Sequence, residues 1–194
     1  MSPVSTPALP AHALVPTVSA WVVRFATSVK PSGTVLDLAC GQGRHARYLA
    51  DQGFTVVGVD RDAAALAHLT GVANVTTRCA DLEAGAWPYG ERQFDGIVVT
   101  NYLHRPLLPL IVSALMPGGV LLYETFRSGN ESYGKPSNPE FLLQPGELLA
   151  FARTHGLQVV AYEDGFSQHP KPAMVQRLCA IKPPLLAPER GQLE

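Results

Sequence analysis

An α/β fold, one doubly wound and mostly parallel sheet of seven strands, is predicted by three observations. Short apolar runs alternate with helix-patterned segments through residues 35–126, the order that produces βαβ units. Those runs are apolar almost throughout instead of at every second residue, as strands covered on both faces are. The last two runs, 158–163 and 175–182, follow each other with no helical segment between them, so the sheet ends in an antiparallel last strand. At 194 residues with 46% hydrophobic content, a single core is expected. It spans 17–183, between a flexible N-terminal lead-in (1–16, with four prolines) and a C-terminal tail (184–194).

The elements follow in order. Val18, Trp21, Val22, Phe25 and Val29 recur at helical spacing, predicting a helix over 17–29 with Thr17 as its cap. Strand 35–40 leads into helix 43–52. Strand 54–60 precedes helix 62–69, which has an acidic cap. Strand 75–80 is followed by a Gly- and Pro-punctuated loop over 85–92, then by strand 94–100. Helix 103–115 is entered through Pro106 and Pro109, and the turn Met116-Pro117-Gly118-Gly119 opens strand 120–126. After a long polar loop comes helix 144–155, with Pro145 in its first turn, and then the final two strands.

Composition excludes several classes. Fifteen Lys and Arg balance sixteen Asp and Glu, and no two basic residues are adjacent, which argues against a nucleic-acid partner. Cys40, Cys79 and Cys179 are far apart in apolar runs and read as reduced core thiols, neither a disulfide framework nor a metal site. No apolar run is long enough for a membrane span, and residues 1–30 lack a signal-peptide pattern. A cytoplasmic protein with no metal is expected.

The chemistry concentrates at residues 35–46. An apolar strand carrying Asp37 breaks into a turn at Gly41 and Gly43, and a helix follows at once. Glycine permits φ > 0 and lets a ligand lie against the main chain, while the opening amides of the helix favour negative charge. Gly41-x-Gly43-x-x-Ala46 with Asp60 further on also satisfies a dinucleotide pattern, so a nicotinamide-dependent oxidoreductase is one reading. Asp37 inside the first strand, Asp81 ending the third and the antiparallel finish favour another nucleotide.

Five ordered segments carry a resemblance: Asp37-Leu38-Ala39-Cys40-Gly41-Gln42-Gly43, Val57-Gly58-Val59-Asp60, Ala80-Asp81-Leu82, the run from Phe94 to Asn101, and Leu115-Met116-Pro117-Gly118-Gly119-Val120-Leu121. In these the chain resembles class I S-adenosylmethionine-dependent methyltransferases, most closely the small bacterial tellurite-resistance type, over about residues 20–182. The resemblance implies a Rossmann-like sheet and S-adenosyl-L-methionine as cofactor. It places Asp37, Ala39, Cys40, Gly41 and Gly43 around the methionine and ribose portion, with Asp37 holding the turn or the cofactor ammonium. Arg44 would face the cofactor carboxylate, Asp60 and the adjoining Arg61 the ribose, Asp81 and the Leu82 amide the adenine, and Asn101 the sulfonium. Ala39 stands where glycine is commoner.

The acceptor side is less legible. Ligands of open parallel sheets bind beyond the carboxyl ends of the strands, which makes Tyr102, His104, Arg105 and Tyr123 candidates for an acceptor pocket. His104 is a candidate general base, and equally a helix-start residue bonded to backbone. Loop 127–143 is long enough to be a lid, and the N-terminal segment is another candidate cover. The expected activity is methyl transfer to a small molecule; a protein that binds the cofactor without turning it over is the alternative.

Overall fold

The computed structural model describes residues 17–91 and 93–184. The expected lead-in, residues 1–16, and the tail beyond Pro184 lie outside them. Seven strands form one sheet: β1 (Thr34–Leu38), β2 (Thr55–Asp60), β3 (Val75–Cys79), β4 (Phe94–Thr100), β5 (Leu115–Phe126), β6 (Gln158–Ser167) and β7 (Ala173–Ile181). Their order is β3-β2-β1-β4-β5-β7-β6. The first five are parallel, and β7 runs antiparallel to both of its neighbours. The order reverses between β1 and β4, the topological switch point at which such sheets open a crevice.

Helices cover both faces. α1 (Ala20–Phe25), α2 (Arg44–Asp51) and α3 (Ala63–Ala67) pack on one side, where Trp21, Val22, Ala46, Leu49 and Leu66 meet Val35, Val56, Val98 and Val120. On the other side α4 (Leu108–Ser113) and α5 (Glu147–Thr154) bring Ile111, Leu148 and Phe151 against Leu36, Ile97, Val99 and Leu121. Consecutive strand residues point to opposite faces, so β1 and β4 feed both layers.

Several elements are shorter than their hydrophobic pattern. α1 starts at Ala20 because Ser19, not Thr17, caps it through the amides of Trp21 and Val22; residues 26–28 then tighten into a 3-10 turn. The expected helix over 103–115 reduces to a 3-10 turn at Arg105–Leu107 and the six-residue α4, because Pro106 and Pro109 each remove a donor amide. Leu115 belongs to β5, opposite Phe94, and the Met116–Gly119 turn is a bulge after which Gly96 pairs with Val120. α5 begins at Glu147 behind Gly146, at φ 77°, so Pro145 precedes the helix.

The β6–β7 hairpin extends further than predicted, to Ser167 and from Ala173. β3 forms one edge of the sheet, β6 the other, and β3 is mostly exposed. Cys79 on that strand is therefore exposed, against the expectation of three core thiols, whereas Cys40 and Cys179 are buried. Among the described residues no helix is long and apolar enough to cross a membrane.

Candidate cofactor and acceptor site

The glycine turn between β1 and α2 is built for close approach. Ala39, Gly41 and Gly43 adopt φ of 54°, 54° and 76°. A Cβ on Gly43 would lie 2.4 Å from Leu69 Cδ2, whereas one on Gly41 would meet nothing within 4 Å. Gly43 is therefore a packing requirement, and Gly41 leaves main chain open to a ligand. Ala39 carries a left-handed strain of about 1 kcal/mol that glycine would not.

Asp60, at the end of β2, fixes this turn. Its Oδ2 accepts the Gly41 amide at 2.8 Å and its Oδ1 the Asp62 amide at 2.9 Å. Each carboxylate oxygen offers two lone pairs, so both retain capacity for a ligand hydroxyl. Asp81, just beyond β3, accepts the amides of Glu83 and Ala84 at 2.9 and 3.2 Å, and those bonds hold its carboxyl below the usual range. Both aspartates line one cleft with Ala39, Arg61, Ala80, Leu82, Glu83 and Tyr102.

Asp37 is 1% exposed and its Oδ2 has no hydrogen-bond partner. Burial pushes its carboxyl up to about 7, partly offset by the Ala46 amide and Arg44. Eight residues on, burial and then Arg44 depress the His45 imidazole to about 3. His45 Nε2 accepts the Ser19 amide at 3.2 Å, and Nδ1 lies 3.3 Å from Thr100 Oγ1. The neutral ring thus ties the start of α1 to the end of β4, a role for which the sequence carries no visible signal.

The two shifts have opposite linkage signs. The Asp37 contribution is present below its unfolded value of 3.8 and lost as pH rises through about 7; that of His45 is present above its unfolded value of 6.5 and lost as pH falls toward about 3. From about pH 4 to 6.5 the folded state holds one extra proton on Asp37 and lacks one on His45, and the two slopes cancel. In Asp37→Asn only the His45 slope survives. Urea unfolding across that window is expected to show the variant losing roughly 1.4 kcal/mol more per unit of acidification than the wild type; parallel curves would refute both assignments.

A second, larger cavity of about 510 Å³ opens beyond Asn101. Asn101 ends β4 in a left-handed conformation, φ 56°, and its amide donates to Glu124 O at 2.9 Å. The cavity is walled by residues 17–20, Arg44, Glu124, Phe126, the β6–β7 connection and Arg177. A smaller pocket containing Tyr102, Asn101 and Phe126 joins it to the aspartate cleft. The result is one trough along the carboxyl ends of β2, β3, β4 and β5.

Of the sequence-predicted residues, Ala39, Asp60, Arg61, Asp81, Leu82 and Tyr102 meet in the first cleft, and Arg44 and Asn101 in the larger cavity. Asp37 and Cys40 lie beneath the turn, both buried. The acceptor-side candidates scatter. Tyr123 is 1% exposed, and its hydroxyl donates to Tyr102 O at 3.0 Å, so it packs in the core instead of forming a pocket wall. Arg105 is bound to Glu147 through two nitrogens and to the carbonyls of Glu140 and Leu142, tying α5 to the preceding loop. His104 opens the 3-10 turn by accepting the Leu107 amide, close enough to Asp81 to favour that carboxylate's charge. Loop 127–143 is pinned by buried Asn130, which donates to Pro136 O and accepts the Met174 amide.

Sequence reasoning placed the segment with Glu124 and the loop with His169 and Lys171 at the ligand edge without assigning them a role, and missed Arg177 as a cavity residue. Arg177 and Glu124 are register partners across β5 and β7, 53 positions apart, and no local pattern joins them. His169 and Lys171 sit in an irregular connection with no periodicity to read.

Residues 35–119 match the family model described as a methyltransferase domain. The sheet has the Rossmann-like fold of its structural neighbours, mostly parallel with an antiparallel last strand. The chain is 34% identical over 120 residues to an uncharacterized methyltransferase of Synechocystis sp., covering 56% of this chain and 55% of that protein. The chain therefore spans about half the length of that relative. Its fold is similar to TehB from Haemophilus influenzae (TM-score 0.73, 22% identity, 86% of this chain and 63% of that one). It also resembles a TehB-like SAM-dependent methyltransferase from Corynebacterium glutamicum (TM-score 0.60, 24% identity, 84% and 88%).

Proposed function

We propose that the protein is an S-adenosyl-L-methionine-dependent methyltransferase acting on a small-molecule acceptor. One observation carries the reading: two carboxylates at neighbouring strand ends, Asp60 and Asp81, share a cleft that continues past an open glycine turn into a second cavity. A pyrophosphate would be repelled by that acidic pair, whereas ribose hydroxyls and an adenine amino group are donors that match it. The orphaned Oδ2 of buried Asp37 likewise suits a cationic ammonium, directly or through water.

S-adenosylmethionine held in this trough would supply a methyl group already activated by its sulfonium. The chain's share of the work is positional. Asp60 and Asp81 hold the adenosine, Arg44 the carboxylate end, and Asn101 fixes the reacting end beside Glu124. Phe126 and residues 17–20 keep water from the larger cavity, so that donor and acceptor meet in line.

Isothermal titration tests the reading. S-adenosylmethionine is expected to bind at one site per chain while NADH shows no heat. NADH binding in preference would overturn it in favour of an oxidoreductase.

A further inference from the structure

The larger cavity has an unbalanced lining. Three cationic side chains, Arg44, Lys171 and Arg177, face a single carboxylate, Glu124. Arg177 is fully engaged: Nε donates to Glu124 Oε2 at 2.6 Å, one terminal nitrogen to Glu163 at 2.8 Å and the other to Ser167 Oγ at 3.1 Å. That fork ties β5, β6 and β7 together at the cavity and pairs the one carboxylate among the described lining residues. Arg44 is taken by the cofactor carboxylate in the reading above. Lys171 has no ion-pair partner among the described residues. It shares the exposed β6–β7 connection with His169, which lines the same cavity.

Among the described residues that line the cavity, Glu124 is the one carboxylate, and it is paired with Arg177. Val18, Phe126, Pro170 and Val175 give the lining an apolar share beside the hydroxyls of Thr17, Ser19 and Ser167. At about 510 Å³ the space is of ligand-pocket size, far more than a bare inorganic anion fills.

We propose that the methyl acceptor is a small organic acid. Its carboxylate pairs with Lys171 and His169, its apolar body lies on Phe126 and Val175, and its reacting atom points toward Asn101. The inference rests on the methyltransferase reading and adds the chemical class of the acceptor. An ammonium at the same place would face Lys171, and a neutral molecule would leave Lys171 unpaired.

Three probes of one shape test it on the full chain saturated with S-adenosylhomocysteine: phenylacetate, 2-phenylethanol and phenethylamine, by isothermal titration. Phenylacetate is expected to bind at least about tenfold more tightly than the other two, as one charge-assisted contact implies. Lys171→Glu is expected to remove that preference while S-adenosylhomocysteine still binds. Equal binding of the alcohol or the amine, no binding of phenylacetate at millimolar concentration, or an unchanged preference in Lys171→Glu would each overturn the acceptor class. Failure of S-adenosylhomocysteine itself to bind would instead overturn the cofactor reading beneath it.

Discussion

Asp60→Ala is expected to weaken S-adenosylmethionine binding by about 100-fold or more, with the fold intact. Two ribose hydroxyls donating to one carboxylate are charge-assisted bonds of about 1.5–3 kcal/mol each, and both vanish together. The turn loses its anchor as well, because Oδ2 holds the Gly41 amide and Oδ1 the Asp62 amide. Asp60→Asn keeps one acceptor oxygen and should fall between the wild type and Asp60→Ala. Calorimetric titration reads all three, and unchanged affinity in the alanine variant would contradict the ribose assignment.

Tyr123→Ala is expected to cost about 3–5 kcal/mol of stability, the range for removing a large aromatic from a packed core. The ring is 1% exposed and belongs to the cluster containing Ile97, Leu121 and Leu178. Tyr123→Phe retains the ring and removes only the donor to Tyr102 O, a loss of about 1 kcal/mol. Urea unfolding separates the two cases. A mild effect of Tyr123→Ala, comparable to Tyr123→Phe, would return the residue to the pocket wall.

These two residues mark the boundary of what the sequence discloses. The position of Asp60 was legible because its signals are local: a strand ends, a carboxylate sits at the tip, and a glycine turn lies one strand over. Asp81 and Asn101 follow from the same logic, as do the order of strands and the antiparallel finish. Tyr123 has the same strand-end appearance, yet pleat alternation turns it inward, and that depends on register with β4 and β7.

The acceptor side was illegible for a related reason. Glu124, Arg177 and Glu163 are aligned only when three strands are laid side by side, and their ion pairs bridge distant parts of the chain. His169 and Lys171 gain meaning only from the cavity they border. His45 looks like one more polar helix residue until the start of α1 folds over it.

The most direct test of the central claim is a crystal structure with S-adenosylhomocysteine. The ribose hydroxyls should lie within hydrogen-bond distance of Asp60, the adenine amino group beside Asp81, and the sulfur near Asn101. Adenosine density elsewhere, or an Asp60 carboxylate that touches no part of the ligand, would contradict it.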